Sequence, residues 1–470
     1  MSRMQWVVVG GGFRGMSAAY LFSKSGKSVT VVDKGTSIGG VLSSIPWNGL
    51  FLDKGCHLFD NDSDEMTDHL FELGGNEFDP VNVVYGSWYR GRLSKGIAIP
   101  DLRFNEDTSG TILIDILRSF ESLCDDSNSL EDKVLERYGR TVADYFYPMI
   151  RKIYLEEASN ISSAMLEATL FNRVYFLDDS SAKILKESKL LDEKIAASSF
   201  DDPLRYYREY CNRYQFRSFY PRKNNMRGFC DSVENTLRAN GVNIQSNMLV
   251  NRIERKNSRY RVFLSSGTEL VCDGIYWAGS YDELENHLGV DVGISQSITG
   301  VPMVLYYFLV APEQLSRYSY IHNFDSDFKI FRVSSPSNYK PTNGEKFCDR
   351  AYVCCEVPIN SKSTLFTNPE ASTDDIWTEL KKMGFIRYGS YLDKVAFSVP
   401  KSYSYLRRDF SPKWQELSGV ISKKTNFYAA NPIHFTKLQI LRDLKLLISD
   451  GRSLNYERSP NHRPNLGKEV

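Results

Sequence analysis

A chain of 470 residues is too long for one compact core and long enough for two or three domains. Lys plus Arg equals Asp plus Glu at 58 each, a balance that argues against nucleic acid as the main partner. Hydrophobic residues make up 42% and aromatics 13%, enough for sizeable cores, yet no run approaches the ~20 apolar residues of a membrane span.

The first element is a strand from about Trp6, with Val7, Val8 and Val9 as an apolar β-branched run suited to burial on both faces. Gly10, Gly12 and Gly15 follow in the G-x-G-x-x-G spacing. In that spacing Gly10 permits a tight turn, Gly12 lets the backbone approach a pyrophosphate, and Gly15 lets the next helix pack closely. Free N–H groups at that helix start attract phosphate charge. Ala18, Ala19 and Leu21 set the helix against the strands, Val29 to Val32 form the second strand, and Asp33 ends it where a carboxylate accepts ribose hydroxyls. Strand, turn, helix, strand and acid in this order predict a dinucleotide site.

After Asp33 come Gly39-Gly40, then Trp47 to Asp53 and Gly55-Cys56-His57-Leu58-Phe59. Residues 84–100 alternate and predict a hairpin, and 111–215 carry helical signals, with Pro148 expected to kink or bound one helix. Lys183 to Ala197 is charged and amphipathic. Cys230 to Asn240 is predicted helical, ending at Gly241. Strands are predicted at Val242–Ile244, Met248–Glu254, Tyr260–Leu264 and Glu269–Trp277, the last running into Ala278-Gly279. Further strands are predicted at Pro302–Val310, Phe328–Val333 and Ala351–Pro358, then a helix at Asp374–Met383. A strand at Asn426–Ala430 and a helix at His434–Ser449 close the pattern, and the polar residues after Gly451 predict a flexible tail. This order implies a discontinuous layout.

Eight cysteines, Cys56, Cys124, Cys211, Cys230, Cys272, Cys348, Cys354 and Cys355, include no C-x-x-C pair, so no metal is expected. Their scatter fits buried free thiols in a reducing compartment, and the early first strand leaves no room for a signal peptide. A soluble cytoplasmic protein is expected. No H-E-x-x-H pattern supports zinc chemistry. Arg205, Arg208, Arg217, Arg222, Lys223 and Arg227 alternate with Tyr206, Tyr207, Tyr210, Phe219 and Tyr220, which suits either a nucleotide sugar or a solvated helix face. Arg332, in an apolar strand, is costly to bury unless an anion or carboxylate meets it.

Together, Gly10, Gly12, Gly15, Asp33, Gly39-Gly40, the string DKGCHLF, Arg90–Pro100, Tyr145–Tyr154 and Tyr220–Phe229 resemble the FAD-dependent amine oxidase and protoporphyrinogen oxidase superfamily, and most of all UDP-galactopyranose mutase-like flavoproteins. The resemblance implies an α/β fold, α+β overall, with a Rossmann-type FAD-binding domain and an inserted, discontinuous substrate domain. Its parts are 1–84, 220–295 and 401–450 for FAD, 85–219 and 296–400 for the helical and substrate domain, and 451–470 for the tail.

It also implies roles. Gly10, Gly12, Phe13, Arg14 and Gly15 would hold the FAD pyrophosphate, with Asp33 and Lys34 at the adenosine ribose and Gly39, Gly40, Val41 and Leu42 against the phosphates. Asp53, Gly55 and His57 would lie near the flavin ring and Val250 at the adenine, and Ala278 and Gly279 would also bind the cofactor. His57 is the expected catalytic residue, and Arg332, Tyr220 and Arg222 the expected substrate contacts. Two departures stand out: Val41 where many members have Arg, and Ala429-Ala430-Asn431 where Gly is usual. The expected function is an FAD-dependent oxidoreductase acting on a small molecule, in surface-polysaccharide or nucleotide-sugar metabolism. The alternatives are a non-redox mutase on a nucleotide sugar and a flavin-binding protein without catalysis. Substrate, electron acceptor and oligomeric state stay open.

Overall fold

The computed structural model describes residues 3–61, 63–103, 106–120, 127–198, 213–214, 216–341, 350–434 and 436–450. Its contacts divide the chain into two compact units. The first comprises Met1–Gly40, Val233–Ile298 and Asp409–Val470, and the second Val41–Ser232 and Thr299–Arg408. The expected tail, the residues Arg205 to Tyr210, and Cys124, Cys211 and Cys348 lie outside the described residues.

The first unit is built on a five-stranded parallel sheet in the order Asn243–Gln245, Ser28–Val32, Gln5–Val9, Gly274–Trp277, Phe427–Ala429. The central strand is buried as its valines demand, with Val8 at 0% exposure. Helix Phe13–Lys24 follows it and buries Met16, Ala18, Ala19 and Phe22. Helix Asn225–Ala239 ends before Gly241, whose φ of +77° only glycine takes without strain.

Two predicted boundaries in this unit shift. The single strand expected over Glu269–Trp277 is two: Glu269–Cys272 joins an antiparallel sheet with Val250–Lys256 and Arg259–Leu264, and Gly274–Trp277 joins the parallel sheet. Asp273 makes the break. Its N–H donates to the Gln5 carbonyl (2.8 Å), and its carboxylate takes the Gln5 N–H (2.7 Å) and pairs with Arg259 (2.8 Å). The last helix is Lys437–Asp450 rather than 434–449, because the Thr436 hydroxyl accepts the Gln439 N–H and so acts as its cap.

The second unit carries a seven-stranded sheet in the order Asp393–Leu406, Ile298–Val310, Ala351–Pro358, Arg332–Ser334, Tyr320–Asn323, Tyr85–Tyr89, Arg92–Lys95. One face is apolar: Trp88, Tyr306, Phe308, Ile321 and Val333 pack with Ile376, Trp377 and Leu380 of helix Thr373–Lys382. A four-stranded sheet, Lys340–Pro341, Phe78–Asn82, Ser218–Pro221 and Phe59–Asp60, and a short hairpin, Ile45–Trp47 with Leu50–Leu52, complete the strands among the described residues.

Of the two outcomes expected at Pro148, a kink or a boundary, the boundary is excluded: it sits inside helix Arg140–Tyr154. The charged, amphipathic stretch Lys183–Ala197 spans parts of two short helices, Asp179–Leu185 and Lys189–Asp192, with Lys186 turned back onto the Asp192 carboxylate (2.5 Å) and the Ile195 carbonyl (3.0 Å). The strand expected over Phe328–Val333 shrinks to Arg332–Ser334, because the N–H groups of Lys329 and Ile330 go to the Glu379 carboxylate (both 3.0 Å) instead of a ladder. Among the described residues no helix is long and apolar enough to cross a membrane.

Candidate functional site: a glycine loop and a buried polar cluster

In the first unit the glycine loop connects the central strand to helix Phe13–Lys24. Gly10 has φ +96°, and a Cβ there would stand 2.8 Å from the Ala278 carbonyl oxygen. A Cβ on Gly15 would stand 1.7 Å from the Gly10 oxygen, so only glycine lets the helix start at this distance. Gly12 differs. A Cβ there meets nothing within 4 Å, so the loop leaves clear space before the helix start. No side chain caps that helix, and its first N–H groups are the donors that an anion takes at a helix N-terminus.

The surroundings converge on that space. The Gly39 N–H donates to the Gly11 carbonyl (2.8 Å), and a Cβ on Gly40 would lie 3.2 Å from the Gly12 Cα. Asp33 accepts the Gly11 N–H (2.5 Å) and the Gly35 N–H (2.7 Å), one on each oxygen, and remains partly exposed. Two bonds leave lone pairs for further donors. Ala278 donates its N–H to the Val9 carbonyl (2.7 Å), which brings Ala278-Gly279 against Gly10. The structure thus assembles Gly10, Gly12, Gly15, Asp33, Gly39, Gly40, Ala278 and Gly279 at one place. These residues fit a dinucleotide: a glycine cradle that a Cβ would fill, an uncapped helix, and a carboxylate beside it.

Three other expected residues of this unit have partners of their own or lie at a sheet edge. The Arg14 guanidinium donates to the carbonyls of Asn431 (2.5 Å) and His434 (2.6 Å), and so is turned to the segment that departs from the usual glycine pattern. His434 in turn bonds Asp443 of the last helix. Lys34 is exposed and 3.7 Å from Glu283. Val250 begins the antiparallel sheet.

In the second unit Asp53 is 1% exposed. Its carboxylate accepts from the hydroxyls of Tyr220 and Ser44 (the latter at 2.8 Å) and from the Met226 N–H (3.1 Å). Burial pushes its pKa from 3.8 up to about 6, against those three donors. Tyr307 donates to the Asp53 carbonyl (2.7 Å), and the Asp53 N–H reaches the Tyr352 hydroxyl (3.2 Å). Asp53 is therefore a knot binding the segment Ser44–Gly55 to distant strands, and Tyr220 is fully buried in it. Val41 is exposed and Leu42 buried. Gly55 has φ +105°, and a Cβ there would lie 3.0 Å from the Glu356 carboxyl carbon. His57 is half-buried two residues on.

Arg332 lies one strand from Glu356, and the two form a bidentate pair (Nε–Oε1 2.6 Å, Nη2–Oε2 2.7 Å). Glu356 also accepts the Cys56 N–H (3.0 Å), while the Cys56 sulfur lies 3.3 Å from the Tyr339 hydroxyl. Burial raises the Cys56 thiol pKa over the opposing pull of Arg332, which keeps it protonated. The anion that Arg332 was expected to need is thus within the chain. Glu356 was missed in the sequence, where the signal was a single acid in the apolar strand Ala351–Pro358. Arg222 is an exposed residue held by Asp79 (3.1 Å) and Glu77 (3.5 Å), a surface ion pair worth little.

Breaking the buried pair has a definite cost. Arg332→Ala or Glu356→Ala alone should destabilise the protein by about 3–5 kcal/mol, since either leaves an uncompensated buried charge. Arg332→Met together with Glu356→Leu should recover most of that loss. Urea unfolding of the three variants checks this, and equal losses in single and double variants would contradict it.

Residues 8–73 match a family model described as an NAD(P)-binding Rossmann-like domain. No curated protein matches the sequence. Among solved structures, the chain is similar to a protein from Exiguobacterium sp. 255-15 assigned as a protoporphyrinogen oxidase (15% identity, 96% of this chain and 99% of the other, TM-score 0.69). It is similar also to a reduced UDP-galactopyranose mutase (14%, 95% and 94%, TM-score 0.70) and to a wild-type putrescine oxidase bound to putrescine (14%, 96% and 99%, TM-score 0.61). At such identities the likeness shows the fold. The resemblance read from the sequence therefore holds for the fold: a mixed α/β chain with a Rossmann-like domain and several sheets.

Proposed function

We propose that the chain is an FAD-dependent oxidoreductase of the amine oxidase and protoporphyrinogen oxidase type. The single observation that carries this reading is the open space before Gly12, with an uncapped helix start, Asp33 and Gly40 converging on it. The fold likeness to oxidases and a mutase supports it. When bound, FAD supplies the hydride chemistry.

The chain's own residues bind and orient. The loop Gly10–Gly15 holds the pyrophosphate by backbone N–H groups, with Gly39, Gly40, Ala278 and Gly279 leaving room for it. Asp33 takes the ribose hydroxyls, with Lys34 beside it, and Val250 contacts the adenine. Val41, Leu42 and Gly55 serve the flavin end, with Asp53 and Glu356 holding the Gly55 segment in place. His57 is the proposed catalytic residue, moving a proton at its imidazole. Substrate is a small molecule. Five described cysteines are free, which supports a reducing, cytoplasmic setting.

A spectrum of the purified protein, followed by anaerobic titration with amines and nucleotide sugars, tests this. A bound flavin bleached by substrate is expected. His57→Ala should keep the flavin and lose turnover by ~10²-fold or more, the usual scale for a general acid or base; unchanged turnover removes His57 from the chemistry. The second reading, a non-redox mutase on a nucleotide sugar, is favoured by the mutase likeness. Activity that needs prior reduction and leaves no net redox change would establish it in place of the oxidase.

A further inference from the structure

Three segments leave the parallel sheet of the first unit in one row. Val9 pairs with Trp277 and Trp277 with Ala429 on adjacent parallel strands. Gly10, Ala278 and Ala430 therefore depart from the same edge of the sheet. In open α/β sheets the crevice outside the carboxyl ends of the strands is where ligands bind. The segment after Ala429 borders that crevice, and it is also the stretch that lacks the usual glycine.

Side chains, not a ladder, hold this segment. The Ala430 N–H still donates to the Trp277 carbonyl (2.8 Å), as the last bond to the sheet. Pro432 brings no N–H, and the Ile433 N–H turns back to the Asn431 side chain (3.0 Å). Tyr281 donates its hydroxyl to the Ala430 carbonyl. Arg14 donates Nη1 to the Asn431 carbonyl (2.5 Å) and Nη2 to that of His434 (2.6 Å). The His434 ring is tied to Asp443 of helix Lys437–Asp450. That helix packs on helix Phe13–Lys24 and buries Leu441 and Leu444.

Arg14 differs from the other two anchors. It is the second residue of helix Phe13–Lys24, two positions past Gly12 and its open space. Among the described residues it forms no ion pair, and two main-chain carbonyls answer its charge. Charge-assisted bonds to carbonyls three residues apart fix the backbone between them. Packing adds little at this point: Arg14, Tyr276, Asn431, Ile440 and Asp443 line a cleft, so unfilled space lies beside the clamp.

We propose that Arg14 is a positioning residue that straps the segment Ala430–His434 beside the glycine loop, and that opening of this strap sets how fast FAD enters and leaves. The segment borders the crevice, so a dinucleotide passes it in both directions. The Arg14 bonds run to the chain's own carbonyls and are the same with and without cofactor. They add nothing to the difference between the two states, so they leave affinity alone. They must break before the segment moves, so they act on the rates. The strap accounts for two departures together: an arginine within the glycine motif that is spent on the chain itself, and alanines where glycine is usual. The inference rests on the FAD reading for what passes the strap; the strap itself is a property of the chain.

Stopped-flow flavin fluorescence on the full chain tests this, with FAD entry followed after mixing and exit followed after rapid dilution. Arg14→Ala should raise both rates together by roughly tenfold or more, the scale of one hydrogen bond to a charged group. Its Kd should stay within about threefold of wild type, which neither a phosphate-binding nor a merely structural arginine would give. Arg14→Lys keeps one point-charge donor in place of the fork and should raise both rates about threefold; it carries the same comparison should Arg14→Ala not fold. Asp443→Leu frees the His434 end and should also raise both rates, by less in the Arg14→Ala background than in wild type. Amide exchange gives a readout that needs no flavin. Without FAD, the peptide spanning 427–440 should exchange roughly tenfold faster in Arg14→Ala, with the central strand Gln5–Val9 unchanged. Unchanged exchange in that peptide overturns the strap. Entry and exit rates equal to wild type, or a Kd weakened about tenfold with an unaltered entry rate, overturn the gating role. A wild type that takes up no FAD, with exchange still faster in Arg14→Ala, overturns the FAD reading and the gating with it, while the strap stands.

Discussion

Gly12→Val should fold normally and fail to hold flavin. Gly12 has φ −71° and ψ −177°, a conformation open to any residue, and its Cβ would touch nothing within 4 Å. The chain therefore has no internal reason for glycine here. Valine is a poorer helix cap than glycine, which costs a few tenths to about 1 kcal/mol, so the thermal midpoint should move by only a few degrees. Its methyl groups would stand where the proposed pyrophosphate approaches, and a loss of about 100-fold in FAD affinity, close to 2.7 kcal/mol, is expected. Gly15→Ala is the contrast. Its Cβ would lie 1.7 Å from the Gly10 oxygen, so it should damage the fold itself. Fluorescence titration with FAD and a melting curve on each variant separate the two effects. A Gly12→Val protein that binds FAD like wild type would show that the loop is structural only.

The second large effect concerns Asp53. Asp53→Ala strands the Tyr220 and Ser44 hydroxyls and the Met226 N–H in a buried site. At about 1–3 kcal/mol for each unsatisfied group, and with the buried charge removed in partial compensation, a net loss on the order of 3 kcal/mol is expected at pH 7. Asp53→Asn keeps an acceptor for Ser44 and Met226 and should cost far less. The pH dependence distinguishes charge from shape. The folded pKa is raised from 3.8 to about 6, so between those values the folded chain binds the extra proton. Its contribution to stability is fully present below 3.8 and is lost as pH rises through 6, a change of about 3 kcal/mol. Relative to Asp53→Asn, the wild type should thus lose that amount between pH 4 and pH 7 in urea unfolding. A flat difference would mean that Asp53 is not buried as a titrating acid.

How far the sequence was legible differs by region for physical reasons. The strand–loop–helix–strand unit was readable because each glycine there answers a local constraint: a positive φ at Gly10, a close approach at Gly15, open space at Gly12. Asp33 was readable because its position follows from the same local geometry. Long-range partners were not. Periodicity in Glu269–Trp277 carries one strand pattern, but the chain changes sheets at Asp273 because of Gln5, 268 residues away. Likewise Phe328–Val333 looks like strand, yet Glu379 takes two of its N–H groups. Arg332 announced a need for an anion, but only the register of two strands shows that Glu356 answers it.

The central claim is that the first unit is a dinucleotide site holding FAD. The most direct measurement is the visible absorbance of the full-length protein, incubated with FAD and then freed of unbound cofactor. A flavin band amounting to one FAD per chain, absent from Gly12→Val treated in the same way, is the predicted result. A colourless wild-type protein after this treatment would contradict the claim.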